Sequence, residues 1–203
     1  MSKTWFTSDT HFFHNAIIDY CNRQVNKEAS REERVSEMNK QLITCWNERV
    51  GPSDEVYHLG DFAFCGITKA VEILKQLNGH KYLIRGNHDY GIAKKQGIIE
   101  HFQWIKDYYV LRVEDFHQNE ECETEFTQYH QPIVLCHFPI LSWDGMAHGS
   151  WHLHGHCHGS LPATRMMRMD VGVDTNKMYP YSYEEIKNVM AMRSVVPVDH
   201  HGM

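Results

Sequence analysis

Short apolar runs rich in β-branched and aromatic residues alternate with amphipathic stretches through the first half of the chain. The run at 4–11 opens as a strand, and residues 14–21 read as a short helix. Over 31–49, Val35, Met38, Leu42 and Trp46 recur at helical spacing, which predicts a longer helix with one buried face, closed by Gly51-Pro52. A strand at 55–59 follows. The stretch 67–77 places Ala70, Val71, Leu74 and Leu77 on one helical side before Gly79 stops it, and 81–85 reads as the next strand. Later segments alternate mostly with a period of two: 103–106, 108–113, 126–130, 132–136, 151–155 and 168–173 read as strands. A final helix opens at Ser182 with SYEE, a capping-box pattern. Alternating βα units followed by a β-rich half predict an α/β fold in which two sheets face each other with helices outside.

The chemistry sits where these strands stop. TWFTSDTH at 4–11, VYHLGDF at 56–62, YLIRGNHD at 82–89, IVLCHFP at 133–139 and WHLHGHCHG at 151–159 each run from apolar residues into acid, amide or imidazole groups. Open α/β sheets gather ligands at the carboxyl ends of their strands, so Asp9, His11, Asp61, Asn87, His88, His137, His156 and His158 are candidates to converge on metal. Mixed nitrogen and oxygen donors without thiolate suit Mn, Fe, Ni, Co or Zn in a working site rather than a structural zinc knot. Gly60, Gly86 and Gly155 each precede a ligand, where the backbone must come close without a Cβ. His117, His130, His148, His152 and His154 read as ordinary histidines, although His152 and His154 share the strand parity of His156 and one of them is a candidate to support a ligand. His200 and His201 fall in a tail expected to fray.

In order, DTH, GDF, GNHD, CHFP and GHCH resemble the blocks of the calcineurin-like metallophosphoesterase superfamily. That resemblance implies a four-layer α/β/β/α sandwich of two mixed β-sheets flanked by helices. It implies two divalent ions per chain, one held by Asp9, His11, Asp61 and His158 and the other by Asp61, Asn87, His137 and His156, with Asp61 bridging. It further implies that His88 faces the leaving-group oxygen, oriented by Asp89, while a metal-bridging hydroxide attacks phosphorus. The flanking text HFFHNAIIDYCNR, GPSDEVYHLGDFAF and RMDVGVDTNKMYPYS resembles a branch of small single-domain bacterial and phage phosphoesterases. Manganese is the first expectation for the metal, with Fe, Ni, Co, Zn or Mg as alternatives.

Composition narrows the setting. With 203 residues and 42% apolar content, the chain is expected to form one domain over 1–203. A net charge of −6 argues against strong polynucleotide binding but not against a small phosphoester, because metal charge is not in the formal count. The chain has no room for the large cap domains of some members of the family it resembles, and an open cleft would suit a phosphodiester or cyclic nucleotide, with a monoester or dinucleoside polyphosphate as alternatives. His14, Asn15, Arg23 and Arg85 are candidates to touch it. A nuclease would need a basic or aromatic track, for which Trp143 and Trp151 are the candidates near the late motifs. A non-catalytic scaffold is a lesser alternative. Six cysteines without CxxC spacing are expected to be reduced thiols, with Cys136 and Cys157 packed beside ligands as bystanders. No signal-like start and no run of bilayer length leave a cytoplasmic location as the expectation. The acidic stretch 112–126 is expected to be an exposed hairpin.

Overall fold

Four of the apolar runs become parallel neighbours. β1 (Thr4–Thr7), β2 (Glu55–His58), β3 (His80–Ile84) and β4 (Ile105–Lys106) pair in parallel, and β9 (Tyr181–Ser182) adds antiparallel to β1, giving the order β4-β3-β2-β1-β9. The computed structural model describes residues 2–119, 122–162, 164–196 and 198, and all their side chains except those of 117–119 and 122–126.

Successive side chains leave opposite faces of a strand, so the register sorts this sheet cleanly. Trp5, Val56 and Leu83 lie in a core with α1 (Asn15–Tyr20), α2 (Arg31–Arg49) and α3 (Ile67–Leu74), while Phe6, Tyr57 and Ile84 lie in a second core. α2 begins as its sequence predicts: Ser30 Oγ accepts from the Glu33 amide and the Glu33 carboxylate accepts from the Ser30 amide. Its buried face is Met38, Leu42 and Trp46. α3 stops at Leu74, short of the predicted 77, but Leu77 is still buried. The four-residue α4 (Gln96–Ile99) has no counterpart in the sequence reading.

The β-rich half builds the second sheet. β5 (Tyr108–Asn119) and β6 (Cys122–Cys136) form a long antiparallel hairpin, and β7 (Trp151–His154) and β8 (Arg168–Asp170) extend it in parallel, in the order β5-β6-β7-β8. The sequence pattern splits β6 at Pro132, yet the strand runs through. β7 pairs with β6 only from Ile133 onward, so a missing donor is tolerated at Pro132. Leu111, Ile133, Leu135, Trp151 and Leu153 face Phe6, Tyr57 and Ile84, and α5 (Tyr183–Met190) adds Tyr183, Ile186 and Met190 to this inter-sheet core. On the far side Val134 is covered by Trp143 and Met146, around the one-turn 3-10 helix Met146–His148. The layers are thus α/β/β/α, the outer one on the second sheet being thin.

The expected acidic hairpin is the tip of β5–β6. Residues 120 and 121 and the side chains of 117–119 and 122–126 lie outside the described set, as do His200 and His201. Asp115 in its described part is buried rather than exposed, accepting from Tyr129, Tyr183 and Lys187.

Two histidines are buried as neutral rings. His58 pairs with Thr10 at 2.9 Å and His152 accepts from the Ile140 amide at 3.2 Å; burial pushes each imidazole down to about 3. The unfolded chain takes up protons near pH 6.5 that these folded sites refuse, so their contribution to stability is complete above about 6.5 and is lost as pH falls toward 3. Each group contributes a slope of about 1.4 kcal/mol per pH unit in that window. In urea melts at pH 7 and pH 5, His152→Gln is expected to show a smaller pH dependence than wild type; equal dependence would remove His152 from this account.

Candidate metal centre

The sheet order dictates which loops meet. The carboxyl ends of β1, β2 and β3 are adjacent, and they deliver Asp9 and His11, Asp61, and Asn87 and His88. β6 and β7 are parallel neighbours in the other sheet and deliver His137, then His156 and His158. The two edges are stitched together by a parallel bridge between Ser8 and Gly172, by the His156 amide donating to Asp9 Oδ2 at 2.9 Å, and by His137 Nδ1 on the Leu59 carbonyl at 2.7 Å.

All seven candidate ligands come together, with His88 beside them. On one side, Asp9 Oδ1 lies 3.9 Å from His11 Nε2 and 3.8 Å from His158 Nε2. On the other, His137 Nε2 lies 3.1 Å from Asn87 Oδ1, and the His156 ring is 5.2 Å from that of His137. Asp61 stands between: its Oδ2 is 3.5 Å from His11 Nε2, 3.6 Å from His137 Nε2 and 3.9 Å from His88 Nε2. Asp9, His11 and His158 form one group able to hold a cation, and Asp9, Asp61 and His137 another.

Several observations fit these residues to a positive guest. Asp9 Oδ1 and His11 Nε2 are buried without a hydrogen-bond partner among the described residues. Each such orphan costs about 1–3 kcal/mol unless something satisfies it. Burial, helped by Arg23 and neighbouring imidazoles, holds His11 down at about 2, so its ring is neutral and has a lone pair to offer. Burial also lifts Asp9 to about 7, a carboxylate lacking the charge that would stabilise it. The backbone is strained at the same places. Asp9, His11, Asp61, His156 and His158 all have positive φ, between 48° and 70°. Non-glycine residues in that region each cost about 1–3 kcal/mol and cluster where function requires them. The glycines leave no slack: a Cβ on Gly86 would meet Asp61 Oδ1 at 2.1 Å, and one on Gly155 would meet Asp9 Oδ2 at 2.3 Å.

The groups around the ligands differ in part from the sequence reading. Asp89 does not take its hydrogen bonds from the His88 ring. It is buried, and its carboxylate accepts from the backbone amides of Asp61 at 2.7 Å, Gly86 at 2.8 Å and Phe62 at 2.9 Å, clamping two ligand loops. Arg23 is buried and bonded to Asp174 and to the carbonyls of Asp9 and Thr10, and Arg85 is paired with Asp107. The Arg23 guanidinium is committed behind the site, and that of Arg85 is engaged by Asp107 in a pair at the surface. His14 lies beside His11, their Nδ1 atoms 3.2 Å apart, and stacks on Phe64 at 4.1 Å; Asn15 Oδ1 is buried without a partner among the described residues.

Sequence reasoning missed Asp174. It accepts from His158 Nδ1 at 2.7 Å and from Arg23 at 2.8 Å. Its burial would raise its pKa, but His158 and Arg23 hold it down at about 2; in turn Asp174, with Cys21 and Asp9, outweighs burial and lifts His158 to about 10. The carboxylate fixes the His158 ring with Nε2 toward Asp9. Its only signal was its place in the text DVGVDT, which carries no ligand spacing. His152 and His154 bond to backbone carbonyls rather than to a ligand, Trp143 and Trp151 are buried, and Cys21, Cys45, Cys65, Cys136 and Cys157 are free thiols.

The model of the calcineurin-like phosphoesterase family matches residues 2–168. The chain belongs to that family. Its members bind divalent metals and hydrolyse phosphoric esters, and the cluster around Asp61 supplies matching donors. The uncharacterized protein MJ1445 of Methanocaldococcus jannaschii is 45% identical over 162 residues, covering 79% of this chain and 72% of its own length. The Gene 66 protein of Mycobacterium phage L5 is 26% identical over 86% of this chain and 87% of its own. The crystal structure of AQ665, a protein of unknown function from Aquifex aeolicus, superposes with a TM-score of 0.64 at 24% identity, over 93% of this chain and 100% of that one, and so shares the fold. Among the described residues no helix is long and apolar enough to cross a membrane.

Proposed function

We propose that this phosphoesterase is a phosphodiesterase acting on small nucleotide-type diesters with two divalent ions, manganese by preference. Asp9, His11, Asp61 and His158 would hold one ion and Asp61, Asn87, His137 and His156 the other. When bound, such a pair lowers the pKa of a coordinated water and offsets charge on the phosphoryl oxygens. The preference for a diester rests on one observation: both arginines near the site are already paired, Arg23 with Asp174 and Arg85 with Asp107. A monoester approaches a double negative charge at pH 7, its second pKa being about 6. A diester carries one charge and asks for no further cation. A screen of bis(4-nitrophenyl) phosphate, 2′,3′-cyclic nucleotides and 4-nitrophenyl phosphate with Mn²⁺ is expected to favour the diesters and to lose activity in EDTA. Preference for the monoester, or activity that survives full demetallation, would refute this reading.

His88 would serve the leaving oxygen. Its side chain is 41% exposed, its Nε2 is 3.9 Å from Asp61 Oδ2, and its backbone amide donates to Asp61 Oδ1 at 2.9 Å. Proton donation from a positioned imidazole is worth about 10²–10⁴-fold. His88→Ala is therefore expected to keep its metal while slowing a ribose leaving group more than 4-nitrophenolate, which needs little protonation. Loss of metal by this variant, or equal slowing of both substrates, would exclude His88 as the acid.

A further inference from the structure

A groove of about 790 Å³ opens beside the centre, between α2 and α3, and nothing in the hydrolysis described above uses it. Phe64 forms its near wall. That ring is 43% exposed and lies 4.7 Å from the His88 ring, so the groove starts on the side given to the leaving group. Phe13, partly buried against the helical core, adds a second ring to the lining, with the Lys69 ammonium 5.4 Å from its centroid. Arg31, Lys40 and Lys69 line the groove against one carboxylate, Glu32, and none of these three cations has an ion pair among the described residues. This is a local positive patch on a chain whose net charge is −6. Asn15 lines it as well, with a buried Oδ1 lacking a partner among the described residues.

Aromatic faces alternating with cations, and an acceptor lacking a donor, are what a single-stranded nucleotide needs: a flat base to stack and a phosphate to neutralise. We infer that this groove binds the leaving nucleoside of a short single-stranded oligonucleotide, with its base against the exposed Phe64 ring and its next phosphate among Arg31, Lys40 and Lys69. The inference rests on the diesterase reading and on His88 facing the leaving group. It supplies the aromatic and basic track that Trp143 and Trp151, both buried, do not. Because a single phosphate is neutralised, the salt dependence is that of one contact, a slope of about −0.7 in log K against log salt.

Three ligands test this by calorimetry on the full chain in EDTA: thymidylyl-thymidine, and the same dinucleotide with an extra phosphate at its 5′ or its 3′ end. One of the two phosphorylated forms carries that phosphate on the leaving nucleoside. It is expected to bind about 10-fold tighter than the parent, to lose that gain in Lys40→Gln/Lys69→Gln, and to be displaced only weakly by inorganic phosphate. The double variant is expected to hydrolyse bis(4-nitrophenyl) phosphate at the wild-type rate with Mn²⁺. If neither extra phosphate tightens binding, if the gain survives the double substitution, or if inorganic phosphate competes equally well, the inference is overturned. A tightened dinucleotide on a protein that hydrolyses no diester would instead refute the proposed activity and leave the groove standing.

Discussion

Asp61→Ala is expected to reduce hydrolysis by about 10³-fold or more and to lower bound metal at both positions together. Its Oδ2 lies within 3.6 Å of an imidazole nitrogen on each side, His11 and His137, while Oδ1 holds the His88 amide. One carboxylate therefore serves two donor groups and one loop. A cation pair contributes several kcal/mol of transition-state stabilisation, and each 1.36 kcal/mol is about tenfold in rate. Elemental analysis decides how the loss arises. If Asp61→Ala retained both equivalents of metal, Asp61 would not be the shared ligand, whatever happened to the rate.

The second large effect concerns stability. Asp89→Ala strips the partner from three backbone amides, those of Asp61, Phe62 and Gly86, in a region sealed from solvent. At about 1–3 kcal/mol for each orphaned donor, the variant is expected to lose roughly 3–5 kcal/mol even after some relaxation. Asp89→Asn, which can still accept, should lose less. Urea melts measure both. A loss below about 1 kcal/mol for Asp89→Ala would show that the amides find other partners and that the loop does not depend on this carboxylate.

Asp89 also shows where a sequence stops being informative. GNHD places an acid next to His88 in the text, and adjacency suggests that one orients the other. Three-dimensional packing instead turns the carboxylate toward amides of two loops, one of them 28 residues away in sequence. Elements with strong local signals were legible: α2 through its buried spacing and Ser30 cap, the last helix through SYEE, β1 to β3 through short apolar runs that end in ligands. α4 was not, because four residues make barely one turn and carry no periodicity. Nor was the continuity of β6, since the local cost of Pro132 is cancelled by a neighbour that begins one residue later. Arg23 and Asp174 were hidden for a related reason. Separated by 151 residues, they form an ion pair that no spacing rule connects, and only burial reveals that Arg23 serves the site from behind. The groove lined by Lys40 and Lys69 likewise brings together residues of two helices that no spacing rule connects.

The seam between the sheets has a consequence for how the protein comes apart. Its candidate ligands run from Asp9 to His158, and the last pair meets the first where the His156 amide donates to Asp9 Oδ2. No partial structure lacking the β7 loop can assemble the full set, so the complete pair of candidate sites exists only in the finished fold. Stabilisation gained only after the folding barrier acts on the unfolding rate and leaves the folding rate almost unchanged. The ions would thus work as a latch on escape: a loaded molecule folds no faster than an empty one but stays folded far longer.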